Sequence, residues 1–162
     1  MKKLSLALAA ALTLAVPAFA HEYALGALKI GHPWSRPNPP GAPTAVGFLT
    51  VTNTGTAPDK LVGGSSPDVA KIEVHEMSMD GGVMKMRPVT GGLVIAPGKT
   101  VALQPGGYHL MLIGPNHAFK VGEHIPATLK FEHAGEVKVE FYVEGDTPKT
   151  QSHDMPGMKD MH

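Results

Sequence analysis

Glycine and proline interrupt this chain so often that a long helix has nowhere to grow. There are 19 Gly and 15 Pro among 162 residues. Each Gly in a helix interior costs about 1 kcal/mol and each Pro about 3 kcal/mol relative to Ala. Between these breaks, apolar and polar residues alternate with period two, the pattern of a half-buried strand. The alternation predicts strands at Leu25–Ile30, Gly47–Asn53, Lys60–Val62, Ala70–Met77, Val83–Arg87, Thr100–Leu103, Tyr108–Ile113, Ala127–His133 and Val137–Glu144. The separators carry turn chemistry: Asn53-Thr54-Gly55, Asp80-Gly81-Gly82, Gly91-Gly92, Pro97-Gly98, Pro105-Gly106-Gly107 and Ala134-Gly135. Asp80-Gly81 lies between two strand runs and reads as a hairpin. Many short strands without a convincing amphipathic helix predict an all-β antiparallel sandwich or barrel. His32 to Pro43, with Pro33, Pro37, Pro39, Pro40 and Pro43, reads as a stiff extended connection, anchored on the core by Trp34.

The two ends read differently from the body. Lys2 and Lys3, the apolar run Leu4 to Val16 and the small-x-small site Ala18-Phe19-Ala20 make residues 1–20 a secretory signal peptide. Cleavage there leaves one domain at 21–145 and a Met/His-rich tail at 146–162, expected to be flexible. The exported chain begins at His21, whose amine and imidazole are a possible metal ligand pair, although an ordinary exposed terminus reads equally simply. No stretch of the body approaches the ~20 apolar residues of a membrane span. The net charge is zero, so no basic excess points to nucleic acid. The expectation is a soluble periplasmic monomer without a lipid anchor, because the chain has no cysteine to carry one.

That missing cysteine also removes disulfides, thiol redox chemistry, thiolate zinc sites and blue-copper centres. Against it stand nine His and nine Met. A single Met in a strand is usually core filler and a single His usually structural. Their joint placement says more. Residues i and i+2 share a face of a strand. His75 and Met77 therefore share one face while Ile72 and Val74 take the other. Met84 and Met86 share a face across the proposed hairpin, and Met79 lies at the turn itself. His109 and Met111 share a face while Leu110 and Leu112 take the other. Five of the eight methionines after Met1 fall between Met77 and Met111. The other three (Met155, Met158, Met161) fall in the tail with His153 and His162. The runs Gly47–Asn53 and Val137–Glu144 contain none. His32, His117, His124 and His133 have no Met at i±2 and read as structural or surface residues. Thioether with imidazole and no thiolate is a donor set for copper, Cu(I) above all, and a poor one for Zn²⁺, Mg²⁺ or Ca²⁺.

These residues resemble the PCuAC family of periplasmic copper chaperones. The resemblance runs from about Tyr23 to Val143. It is carried by His32-Pro33-Trp34-Ser35-Arg36, Pro39-Pro40-Gly41, Thr50-Val51-Thr52-Asn53 and His75-Glu76-Met77. Gly82-Val83-Met84-Lys85-Met86-Arg87 and Pro105-Gly106-Gly107-Tyr108-His109-Leu110-Met111 complete it. The family's copper motif is a His, about ten residues, a Met, about twenty residues, then His-x-Met. It implies the ligand roles for His75, Met86, His109 and Met111, with Met84 as the rival of Met86 and Met77 as an accessory. The resemblance further implies a cupredoxin-like Greek-key sandwich that passes Cu(I) to an acceptor. The usual acceptor is the dinuclear centre of cytochrome c oxidase subunit II, often with a Sco-type thiol protein in the same pathway. The tail residues His153, Met155, Met158, Met161 and His162 suggest a second site, where His could hold Cu(II) and Met Cu(I). Two other readings stand beside it: copper sequestration for resistance, which uses the same ligands, and an enzyme with a copper brace at His21. The brace needs a second His beside the terminus and a flat aromatic surface, which one Trp, three Tyr and five Phe supply poorly. No Ser/His/Asp or paired-carboxylate arrangement is present at motif level.

Overall fold

The computed structural model describes residues 22–145. The expected signal peptide, His21 and the five tail residues lie outside them. Eleven strands follow one another without a helix: β1 Glu22–Leu25, β2 Leu28–Ser35, β3 Thr44–Asn53, β4 Asp59–Ser66, β5 Val69–Asp80, β6 Val83–Pro88, β7 Leu93–Ile95, β8 Thr100–Leu103, β9 Tyr108–Pro115, β10 His124–Phe131 and β11 Gly135–Val143.

Seven of them close a ring. The order β2-β11-β10-β4-β5-β9-β3 returns to β2 through a second pairing of β3. Closure removes the unpaired edges that an open sheet would present. The remaining strands are short additions: β1 on β2, β8 on β3, β6 on β5 and β7 on β4. The sandwich is thus a closed barrel. One join departs from the expected antiparallel pattern, since β11 meets β2 in parallel at Tyr142↔Trp34 and Val143↔Ser35. A join of two residue pairs suffices because each strand is already held along its other edge.

The expected strands were placed with local errors that have physical causes. Leu25–Ile30 is two strands, because Gly26 takes φ 57° and turns the chain. The first residues of the proline-rich segment belong to β2. They are accommodated by a bulge between Gly31 and Trp34, where His32 adopts φ 45°. Trp34 stacks on Phe48, with ring centroids 4.6 Å apart, and the Arg36 guanidinium lies over both rings. Strand β10 begins three residues earlier than alternation predicts. Its Pro126 is tolerated because β4 pairs with β10 only from Thr128 onward. Strand β7 is too short for alternation to reveal, yet it buries Leu93 and Ile95.

The core runs through the ring and includes Phe119, Phe131, Phe141, Leu110, Leu112, Ile72 and Val74. Gly64 allows β4 and β10 to approach. A Cβ there would meet the Thr128 carbonyl oxygen at 2.5 Å. Asp59 is a buried polar post whose carboxylate accepts N–H bonds from Lys60, His133 and Ala134. Burial pushes its pKa upward, but those three donors outweigh burial and leave it below the usual 3.8.

Candidate metal centre

Strand β5 carries the site. Its even positions Ile72 and Val74 enter the core, so its odd positions Glu73, His75, Met77 and Met79 share the other face. Strand β9 lies along one edge, with Val74↔Leu110 and His75↔His109 in register and Glu73↔Met111 beyond them. Strand β6 takes the other edge where β4 leaves it, with Met77↔Met86 and Met79↔Met84. Directly opposed residues in an antiparallel pair lie on the same face. The three strands therefore present four rows on one surface: Glu73–Met111, His75–His109, Met77–Met86 and Met79–Met84. The parity expected for all three His/Met pairs holds. Met79 stands one residue before the end of β5, facing Met84, rather than in the turn.

The hairpin that sets this register is a two-residue loop, Gly81-Gly82, with φ 59° and 81°. Two consecutive positive φ values match the right-handed twist of the flanking strands and favour glycine. The loop length decides that Met86, not Met84, faces Met77: a slip of one residue would turn both methionines to the other face, and only a slip of two would bring Met84 opposite Met77.

Burial divides the surface. His109 is 4% and Met111 7% exposed, and neither belongs to the main core cluster. Met86, Met84 and Met79 are 48%, 60% and 67% exposed. The surface is buried at its imidazole end and open at its thioether end.

The two imidazoles are oriented by groups that can only accept. His109 Nδ1–H donates to the Gly107 carbonyl at 3.2 Å, which leaves Nε2 as the lone-pair nitrogen. His75 Nε2–H donates to Glu73 Oε2 at 2.9 Å, which leaves Nδ1. Glu73 is ionised: the Lys71 ammonium first, then the His75 hydrogen bond, hold its pKa below 4.5. His75 Nδ1 and His109 Nε2 are buried side-chain atoms without a hydrogen-bond partner. Leaving such an atom unpaired costs about 1–3 kcal/mol, so it calls for an explanation. The ring centroids are 5.9 Å apart. Burial, chiefly, lowers the His109 pKa below 6.5, which keeps that imidazole neutral near pH 7. A neutral imidazole whose second nitrogen is hydrogen-bonded to a carboxylate or carbonyl is in the state metal ligation requires.

Among the described residues no three His, Asp, Glu or Cys side chains converge. Two imidazoles alone leave a metal under-coordinated, so the remaining donors here are the thioethers. That donor set suits a soft cation and not a hard one. Alternation in the sequence pointed to His75, Met77, Met84, Met86, His109 and Met111, but Glu73 was missed. Its position two before His75 was the available signal. The four histidines read as structural have carboxylate neighbours: His32 with Glu144, His117 with Glu123, His124 with Glu140 and His133 with Glu132.

A closed β-barrel bearing a soft-donor imidazole–thioether surface defines the class of protein. The particular family follows from comparison. Residues 28–143 match the family described as "Putative lipoprotein LpqE-like". A Rickettsia prowazekii (strain Madrid E) protein, RP573, is 30% identical over 125 residues, covering 75% of this chain and 69% of its own length. Lxx21020 of Leifsonia xyli subsp. xyli (strain CTCB07), whose name also carries the word lipoprotein, is 33% identical over 91 residues. The match covers 56% of this chain and only 55% of that relative. Among solved structures, the copper-bound PCuAC domain from PmoF2 superposes with a TM-score of 0.66 at 33% identity, over 77% of this chain and 98% of that one. The Cu(I) form of DR1885 from Deinococcus radiodurans gives 0.55 at 29% identity, over 78% and 83%. The chain belongs to the LpqE-like family, and its barrel is a PCuAC domain.

Proposed function

We propose that this protein is a copper chaperone of the cell envelope, which carries Cu(I) as cargo and releases it to a copper enzyme. The reading rests above all on the two buried nitrogens, His75 Nδ1 and His109 Nε2, that face one surface without a hydrogen-bond partner. Met111 and Met86 flank that row on opposite sides and complete a four-donor set of His75, Met86, His109 and Met111. Thioethers are neutral and survive outside the cytoplasm better than thiolates do. The exposure of Met86 leaves one ligand free to exchange with an incoming acceptor, so release needs no unfolding. Copper-bound relatives of the same fold support the metal, and the name of one specifies Cu(I). The role is binding and transfer without catalysis. The signal-like residues 1–20 and the lipoprotein names of relatives support an envelope location, here the periplasm. The dinuclear copper centre of cytochrome c oxidase subunit II, with a Sco-type thiol protein alongside, is the acceptor proposed. Copper sequestration for resistance is the competing reading of the same ligands.

The test is Cu(I) competition against a chromophoric chelator, followed by mixing with the apo copper domain of subunit II. The expected result is one tightly held Cu(I) in the barrel that moves to the acceptor. His109→Leu with Met111→Leu should abolish that ion while the barrel stays folded, because both replacements stay close to the native volume. Retention of a tight ion by this double variant, truncated after Gly145, would overturn the ligand assignment. Tight binding without transfer would favour sequestration.

A further inference from the structure

The hairpin of β5 and β6 does something the four-donor centre does not require. Strand β6 pairs with β5 alone. Beyond Glu76, the last β5 residue paired with β9, the ribbon runs on as a two-stranded arm. Its two faces differ completely. On one, Ser78 accepts from Arg87 and Asp80 accepts from Lys85 at 2.6 Å. On the other stand only methionines: Met77 opposite Met86 and Met79 opposite Met84. Among the described residues seven large apolar side chains are exposed outside the arm's charged face, and all three methionines among them are on this arm. An apolar face left in water on a marginal ribbon is unfavourable unless it has a use. Packing does not supply one, because neither Met79 nor Met84 is covered.

We propose that Met79 and Met84 form a separate thioether port for Cu(I), which captures the ion at the arm's tip and hands it along the ladder to the buried centre. The idea rests on the Cu(I) reading of that centre. Successive rows are two residues apart, about 7 Å. Methionine is long and flexible enough for neighbouring rows to share an ion between them. The ion can thus pass from Met79–Met84 to Met77–Met86 and on to His75–His109 by exchanging one neutral donor for another. No electron or proton moves in either step. The donors stiffen and strengthen inward, from exposed thioethers at the tip to buried imidazoles at the base, so the direction of loading is set by the ligands themselves. The port binds weakly by construction, having two thioethers and no imidazole. The same path read backwards is the exit.

Two measurements on the exported chain test this. In the first, loading from the Cu(I)–bicinchoninate complex is followed by loss of its colour, for wild type and for Met79→Leu with Met84→Leu. Leucine keeps volume and removes sulfur at exposed positions, so folding is not at stake. The end point should be unchanged while loading slows by about tenfold, because capture and transfer are no longer linked on one molecule. Loading rates within about twofold of each other would overturn the port. A wild type that takes no Cu(I) from bicinchoninate would instead overturn the underlying centre, and the port with it. In the second, Ag(I), a redox-inert stand-in for Cu(I), is titrated while methionine methyl signals are followed by carbon-13 NMR. The Met86 and Met111 methyls should move first and the Met79 and Met84 methyls after them. Met79 and Met84 signals that never move, even at saturation, would overturn the proposal.

Discussion

Met84 and Met86 are both exposed, both on β6 and both on the ligand face, yet they should behave differently. The row His75–His109 is the reference, because it holds the two unpartnered nitrogens. Met86 stands opposite Met77, one row away, or about 7 Å along the strands. Met84 stands opposite Met79, two rows away, or about 13 Å. A diagonal neighbour in an antiparallel pair is within reach of a long side chain. A residue two rows off is not, unless the ribbon bends sharply. Replacing Met86 by Leu removes a sulfur donor at nearly constant volume from a site open to water, so the apo barrel should unfold at the same denaturant concentration. The loss of Cu(I) affinity should be at least that of losing a supporting group, which is 10–100-fold, and about 100-fold is expected for a direct ligand. That is about 2.7 kcal/mol. Met84→Leu should change the equilibrium affinity by less than about twofold, or ~0.4 kcal/mol. Competition with a Cu(I) chelator, titrated to equilibrium at fixed pH, reads both constants directly. Equal losses for the two variants, or a larger loss for Met84→Leu, would refute the row argument and with it the assignment of Met86.

Three further outcomes follow from the same geometry. Glu73→Gln replaces an obligate acceptor by an amide that can also donate, so the His75 tautomer is no longer enforced. Cu(I) affinity should fall by about tenfold, and the His75 ring signals in nitrogen-15 NMR should show mixed tautomers. Because burial lowers the His109 pKa, the folded state takes up that proton less readily than the unfolded chain. The associated stability is complete above the ordinary value of 6.5 and is lost as pH falls below it, so apo protein should need less urea to unfold at pH 5 than at pH 7. An apo urea midpoint that His109 substitution leaves equally pH-dependent would contradict this. Asp59→Ala leaves the N–H groups of Lys60, His133 and Ala134 without their acceptor and should cost about 2–3 kcal/mol in urea unfolding. Cu(I) affinity should stay as in wild type, since Asp59 lies on β4 and pairs away from the ligand face.

Much of the site was legible because strand parity is a local property. Placing Ile72, Val74, Leu110 and Leu112 inside forces His75, Met77, His109 and Met111 onto the opposite face, whatever the rest of the chain does. Glycine and proline density excluded helices on similarly local grounds, and the lack of thiols narrowed the metal before any fold was known. The errors arose where a local pattern met a non-local constraint. Alternation slips by one position at Ala27-Leu28, and only the pairing of Glu22 with Gly31 shows that the chain has turned back there. Glu73 carries no metal-ligand signature in the sequence, since its role comes from the ring it holds.

What parity could never supply is which strand lies beside which. His75 and His109 are 34 positions apart, and nothing in either segment says that they face one another. That contact exists because β9 fits between β5 and β3 when the ring closes, a choice made by the whole core at once. The same closure ends β4 early along β5 and leaves its edge to β6, which is why four methionines project as an arm instead of packing. Residue type and strand parity are local, so the sequence carries both the imidazole and thioether side chains and the face they share. Only the tertiary structure brings two buried lone-pair nitrogens into one row, because β9 lies beside β5 only when the ring closes, with Met111 buried on one side of that row and the methionines of the β5–β6 arm stepping out into water on the other.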